Sequence, residues 1–311
     1  MKILSNKIFQ KIIIYLIFIA IIFWFGFFIK NHLADFAVVR LISLSTIAIL
    51  LFLNLTALVF EGLILKIILE PFNIKLLSKE WFGLNVLSSL GNMVLPFGGW
   101  GVRGLYLKKK YNFSSANFLS VLTVVTIFEL IIFSLGGLVG LIYLGSADLI
   151  AQTLLLIFSI VTFICLIFIL ITFKFKPSQN SFLNRLAQIS QSWQWLKNQK
   201  QILVKIILLM IGYFLVSALI FLFAFQTFGF AINYLSTFIP TCLSNYTLII
   251  RLLPASIGFY EGAVIYTSRL FNFNVSQGLL VAEIVRVSYL FWLLVLAPIF
   301  SYILLKNNKR I

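Results

Sequence analysis

Apolar residues run along this chain in blocks that reach or exceed the about 20 residues needed to cross a hydrocarbon core as a helix. Residues 11–29 form the first block, too long for a signal-peptide core and lacking a small-residue cleavage site, so it reads as a retained helix. The second covers 38–69, enough to tilt or to project from the bilayer. Further spans are predicted at 116–144, 149–173, 202–228 and 277–305. Two stretches between them, 81–111 and 234–273, are equally apolar but interrupted by proline and glycine.

The polar punctuation is short everywhere except at 174–201. There Phe182, Leu186, Ile189, Trp193 and Leu196 recur at helical spacing among polar residues, with Arg185, Lys197 and Lys200 nearby. This predicts an amphipathic helix on the inner leaflet, or a plain surface linker between two halves.

Composition strengthens the membrane reading. Hydrophobic residues make up 62% of the 311 residues and charged residues 10%, where soluble proteins carry about 25% charge. The net charge of +16 does not imply nucleic acid, because the lysines and arginines sit in short loops without interleaved aromatics. It matches the excess of basic residues on the cytoplasmic side of membrane proteins. Cys165 and Cys242 give neither a disulfide framework nor a metal spacing, and the lone His32 sits in a loop.

The two broken stretches match each other. The first contains Leu95, Pro96, Gly98, Gly99, Gly101, Arg103 and Gly104; the second contains Leu253, Pro254, Gly258, Glu261 and Gly262. A charge followed by glycine stands seven residues after each proline, Arg103 in one copy and Glu261 in the other. After a two-residue slip, Tyr111-Asn112-Phe113 corresponds to Phe271-Asn272-Phe273, and each triplet opens a long span. Duplication follows.

Basic clusters orient the copies. If each broken stretch dips into the membrane and returns, Lys108, Lys109, Lys110, both termini and 174–201 all fall on the cytoplasmic side. The expected fold is therefore an all-α polytopic membrane protein. It has six full spans and two re-entrant hairpins in an inverted repeat, or eight helices with each hairpin counted. The whole chain, 1–311, is one transmembrane domain, with repeat halves about 38–145 and 202–305 joined by 174–201. The expected location is the plasma (inner) membrane.

Irregular backbone at membrane depth must be buried in protein or line a wet cavity. Broken helices there expose N–H groups that suit anions, glycine permits close approach, and arginine grips phosphate. Ionisable residues within spans are costly, about 2.5–3.5 kcal/mol each on insertion scales. The candidate substrate-binding residues are thus Asn92, Pro96, Gly98, Gly99, Gly101 and Arg103 in the first break, Pro254, Gly258, Glu261 and Gly262 in the second, and Glu129, Glu283 and Arg286 in spans. Glu283 and Arg286 are three apart and share a helix face, which suits local pairing. Arg103 and Glu261 are expected either to pair across the repeats, or to act separately, Arg103 on a phosphate and Glu261 as a helix cap. Glu61 and Arg251 are read as interfacial. No nucleophile–His set, Asp-rich Mg²⁺ motif or P-loop appears, so no catalytic residue, metal or cofactor is expected.

Leu95-Pro96 with Gly98, Gly99, Gly101 and Arg103, followed by Leu253-Pro254 with Gly258, Glu261-Gly262 and Arg286, resembles the transmembrane domain of lysylphosphatidylglycerol synthase, a flippase-like family. The resemblance covers nearly the whole chain. It implies lipid translocation between leaflets, and membership as a stand-alone form without the soluble synthase domain. One departure concerns the helix after the first break, where the family often has a Glu-Arg pair. Here Glu129 is the only charge, and Thr126 falls where Arg286 sits in the second copy.

Three functions compete at this point. The first is a lipid flippase for an anionic phospholipid or isoprenoid-linked lipid. The second is a non-transporting subunit supporting a glycosyltransferase or lipid synthase, which would then be its protein partner. The third is an ion-coupled transporter of a small solute.

Overall fold

The computed structural model describes residues 42–170, 187, 190, 191, 194, 198–250 and 253–308. The predicted first span, Arg251 and most of the amphipathic segment lie outside the described residues. Those residues form nine α-helices: α1 Leu44–Leu69, α2 Ser78–Val94, α3 Gly98–Tyr111, α4 Ser115–Leu144, α5 Leu149–Leu170, α6 Lys200–Thr227, α7 Phe238–Ile250, α8 Phe259–Ser268 and α9 Val275–Asn308. Five of them, α1, α4, α5, α6 and α9, are long and apolar enough to cross a membrane. The chain is an all-α, multi-pass membrane protein.

Helix boundaries follow local chemistry. Helix α1 starts at Leu44, where Ser43 is extended and its hydroxyl accepts the Thr46 N–H at 3.2 Å. The first break falls at Leu95-Pro96-Phe97, between α2 and α3, with Phe97 left-handed at φ 59°. Each second arm ends on an asparagine in the left-handed region, Asn112 at φ 51° and Asn272 at φ 61°. Asparagine tolerates that conformation better than most residues. In both copies the following phenylalanine N–H turns back to the helix, from Phe113 to the Leu107 carbonyl and from Phe273 to the Ser268 carbonyl. These are the two triplets that the sequence pairs.

Packing is reciprocal. Helix α1 lies along α6; α2 packs on α3 as α7 packs on α8; α4 packs on α7 as α9 packs on α2; and α1 meets α9 as α6 meets α4. Helix α5 has no counterpart among the described residues and packs on α4. In a bilayer, helices gain little from hiding apolar faces from lipid, so close van der Waals contact holds them together. On α4, Gly136 meets the Phe214 ring of α6 and Gly137 meets the Phe158 ring of α5, with no space for a Cβ at either. A small-residue face on α4 thus seats an aromatic layer that includes the fully buried Phe133 and Phe158.

Candidate functional site

Where the two broken stretches meet the long helices lies a cavity of about 210 Å³. The first break contributes Asn92 and Arg103, and the second contributes Ala255, Ser256 and Tyr260. The long helices contribute Glu61 from α1, Thr126 and Glu129 from α4, Tyr213 from α6, and Arg286 and Tyr289 from α9. Amides and hydroxyls fill much of the remaining wall, among them Asn54, Ser89 and Asn245. Polar side chains on helices that otherwise face lipid make this the polar centre of an apolar bundle.

On the first half's side, Asn85 of α2 joins three helices. Its amide donates to the Leu58 carbonyl at 2.9 Å and to Glu61 Oε2 at 3.1 Å, and its oxygen accepts Arg103 Nη2 at 2.6 Å. The Tyr213 hydroxyl donates to the other Glu61 oxygen at 3.0 Å. Glu129 accepts from Asn245 Nδ2 at 3.2 Å, linking α4 to α7.

On the second half's side, α8 begins after Gly258, whose φ of 84° favours glycine. Glu261, in the first turn, reaches back to accept the Gly258 N–H at 2.6 Å. Its other oxygen lies 2.7 Å from Arg286 Nη2, an ion pair with both side chains nearly buried. Arg286 also lies over the Tyr260 ring at 5.1 Å and donates to the Ala255 carbonyl at 3.3 Å. Ala255 and Ser256 both hold left-handed backbone, φ 54° and 52°. Such conformations persist only where neighbours enforce them. Here the enforcing contacts are the Arg286 bond and a Ser256 hydroxyl bond to the Thr247 carbonyl at 2.9 Å.

The expected site divides on this geometry. Asn92, Arg103, Glu129 and Arg286 line the cavity; Pro96, Gly98, Gly99, Gly101, Pro254, Gly258, Glu261, Gly262 and Glu283 are not part of its wall. Glu261 pairs with Arg286 of the next helix and caps its own helix, so of the two readings given for it, capping is the one that the geometry carries. Arg286 likewise takes Glu261 rather than Glu283 as its ion-pair partner. The alignment on proline fails here for a local reason. Helix α3 starts two residues after Pro96 but α8 starts five after Pro254, so equal distance from proline places Arg103 and Glu261 on different turns.

The amides at the start of α3 are spent internally. Gly99 N–H donates to Asn92 Oδ1 at 2.8 Å, and Trp100 and Gly101 N–H both turn to the Phe97 carbonyl. Gly98 and Gly99 serve contact between the arms: a Cβ on either would strike a carbonyl of α2, that of Gly91 or Ser88. Glu61, expected at an interface, lines the cavity instead. Thr126 and Arg286, matched by the sequence repeat, do line one cavity.

Asn54, Asn85, Tyr213, Asn245 and Tyr289 were not among the expected residues. A signal existed for one group: Asn54 and Glu61 stand seven apart on α1 and so share a face. Tyrosines within spans carried none, since tyrosine is also common at membrane interfaces.

A second polar cluster holds the base of the first hairpin. Glu80 is fully buried and accepts from the Leu77 N–H at 3.0 Å, from the Tyr106 and Tyr111 hydroxyls at 2.7 Å each, and from the Lys110 ammonium. Burial by itself raises the carboxyl pKa; Lys110, the Leu77 N–H and the two phenols outweigh it and hold Glu80 below the ordinary value.

Compared with known proteins, residues 11–297 match the family model described as the lysylphosphatidylglycerol synthase TM region. No curated protein and no solved structure matches the chain. The family model suggests a membrane lipid-related function, in keeping with a polar cavity enclosed by apolar helices. Since the match covers most of its length, the chain belongs to the lysylphosphatidylglycerol synthase transmembrane-region family.

Proposed function

We propose that the protein moves an anionic phospholipid or an isoprenoid-linked phospholipid between leaflets, acting as a translocator rather than a catalyst. The observation that carries this reading is the cavity, with Arg103 and Arg286 entering one wall system from opposite halves of the chain. Guanidinium groups hold phosphate oxygens by charge-assisted hydrogen bonds. The surrounding amides and hydroxyls replace water around a head group, while the acyl or isoprenoid chains stay among the lipid-facing helices. The reciprocal packing of the halves supports an inverted repeat with two re-entrant hairpins, the plan on which many transporters alternate access to a central site. On this reading the protein sits in the plasma (inner) membrane with both termini cytoplasmic.

The test uses the full chain in vesicles of phosphatidylethanolamine and phosphatidylglycerol carrying a head-group-accessible fluorescent phosphatidylglycerol. Dithionite bleaching of the outer leaflet reads exchange. Faster exchange than in protein-free vesicles, slowed by Arg286→Ala, is expected. Exchange no faster than in empty vesicles, with lipid binding intact, would turn the reading toward a non-transporting subunit.

A further inference from the structure

We infer that Asn85, which does not line the cavity, is the positioning residue that holds Arg103 and Glu61 as one two-pole recognition element, for a phosphodiester head group bearing a hydrogen-bond donor. The inference rests on the head-group reading of the cavity. Asn85 is fully buried on α2. Its three hydrogen bonds run to two other helices: to the Leu58 carbonyl and Glu61 on α1, and to Arg103 on α3. Glu61 and Arg103 both line the cavity.

The orientation of this amide is forced by its partners. A guanidinium only donates, whereas a carbonyl and a carboxylate only accept. The amide oxygen must therefore face Arg103, and both amide hydrogens must face Leu58 and Glu61. A flip would set donor against donor and acceptor against acceptor. One neutral side chain thus spaces a cationic group and an anionic group on adjoining parts of the wall and fixes the bearing of each. Glu61 also takes the Tyr213 hydroxyl, yet a carboxylate has about four acceptor positions, so capacity remains toward the cavity. The ligand that fits such a wall has a phosphate for the arginine and, a few bonds away, a hydroxyl or ammonium for the glutamate.

No other side chain of similar size supplies these bonds. Leucine supplies none. Aspartate turns repulsive toward Glu61 and the Leu58 carbonyl and attractive toward Arg103. A protonated aspartic acid restores one acceptor and one donor, so acid should mend Asn85→Asp and leave Asn85→Leu unmended.

The probes are dioctanoyl phosphatidylglycerol and dioctanoyl phosphatidylethanol, diesters of equal charge of which only the first carries hydroxyls. Calorimetry on the purified full chain in detergent measures both affinities from neutral to mildly acidic pH, each variant normalised to the native protein. The native protein should prefer the glycerol diester about tenfold, the weight of one hydrogen bond to a charged group. Asn85→Asp should lose that preference at neutral pH and regain part of it in acid. If neither lipid binds, the head-group reading falls and this inference with it. If the native protein binds both equally, the two-pole element falls while the cavity reading stands. If Asn85→Asp keeps the preference, or loses it without recovery in acid, Asn85 does not position the pair.

Discussion

Glu261 and Arg286 form an ion pair at 2.7 Å that fastens α8 to α9 beside the cavity. The same carboxylate caps α8 through the Gly258 N–H, and the same guanidinium holds the left-handed turn at Ala255. Removing one partner of a buried pair strands the other, at about 3–5 kcal/mol. Glu261→Ala and Arg286→Ala should each lower the unfolding free energy in detergent by that order. Glu261→Gln should lose less, because it keeps an oxygen for Gly258. The double exchange Arg103→Glu with Glu261→Arg should recover nothing; recovery would move the ion pair to Arg103.

The glycines should separate by cause. At Gly101 a Cβ meets open space, and alanine favours helix over glycine by about 1 kcal/mol, so Gly101→Ala should hold or raise stability. Gly99→Ala should cost about 1–3 kcal/mol, the usual penalty for overpacking, since its Cβ meets the Ser88 carbonyl and the Asn92 amide. Gly258→Ala should cost about 1–2 kcal/mol for its left-handed backbone alone. Melting of the three purified variants gives the order, and a Gly99→Ala protein as stable as the native one would show that the arms are not packed through it.

Acid should loosen the first hairpin. Glu80 has a folded-state pKa below its ordinary value of 4.5. A depressed carboxyl contributes stability that is complete above the unfolded-state value and disappears as pH falls through the folded one. The melting advantage of the native protein over Glu80→Gln should therefore be full near neutrality and shrink below about pH 4. An advantage that grows in acid would reverse the assignment.

Orientation can be read with introduced thiols, because the native Cys165 and Cys242 are buried. Lys109 is exposed at the end of α3, and Ala147 is exposed in the turn before α5. In intact cells an impermeant maleimide should label Ala147→Cys and spare Lys109→Cys until the membrane is opened. Labelling of Lys109→Cys from outside would remove the re-entrant arrangement of the first hairpin.

Much of the architecture is legible along the chain. Apolar blocks mark the five described spans, with ends set where caps such as Ser43 act. Proline marks both breaks, and the paired asparagine triplets mark the ends of both second arms. These features are local: the length of an apolar run, the missing N–H of proline and the left-handed tolerance of asparagine each operate within a few residues.

The site was legible only in part. An ionisable residue inside a span announces itself by its cost, which is how Arg103, Glu129 and Arg286 could be singled out before the fold was known. Which acid faces which base is another matter. Glu261 meets Arg286, and Asn85 stands between Arg103 and Glu61. Those meetings depend on the turn at which α3 and α8 start and on the depth at which neighbouring helices lie against them. The sequence by itself determined the membrane class, the breaks and the list of costly charges, because each follows from a solvent preference or a backbone constraint of single residues. Only the tertiary structure decided the partners, because hydrogen bonds act over about 3 Å, and a one-residue change in helix start turns a side chain by about 100°.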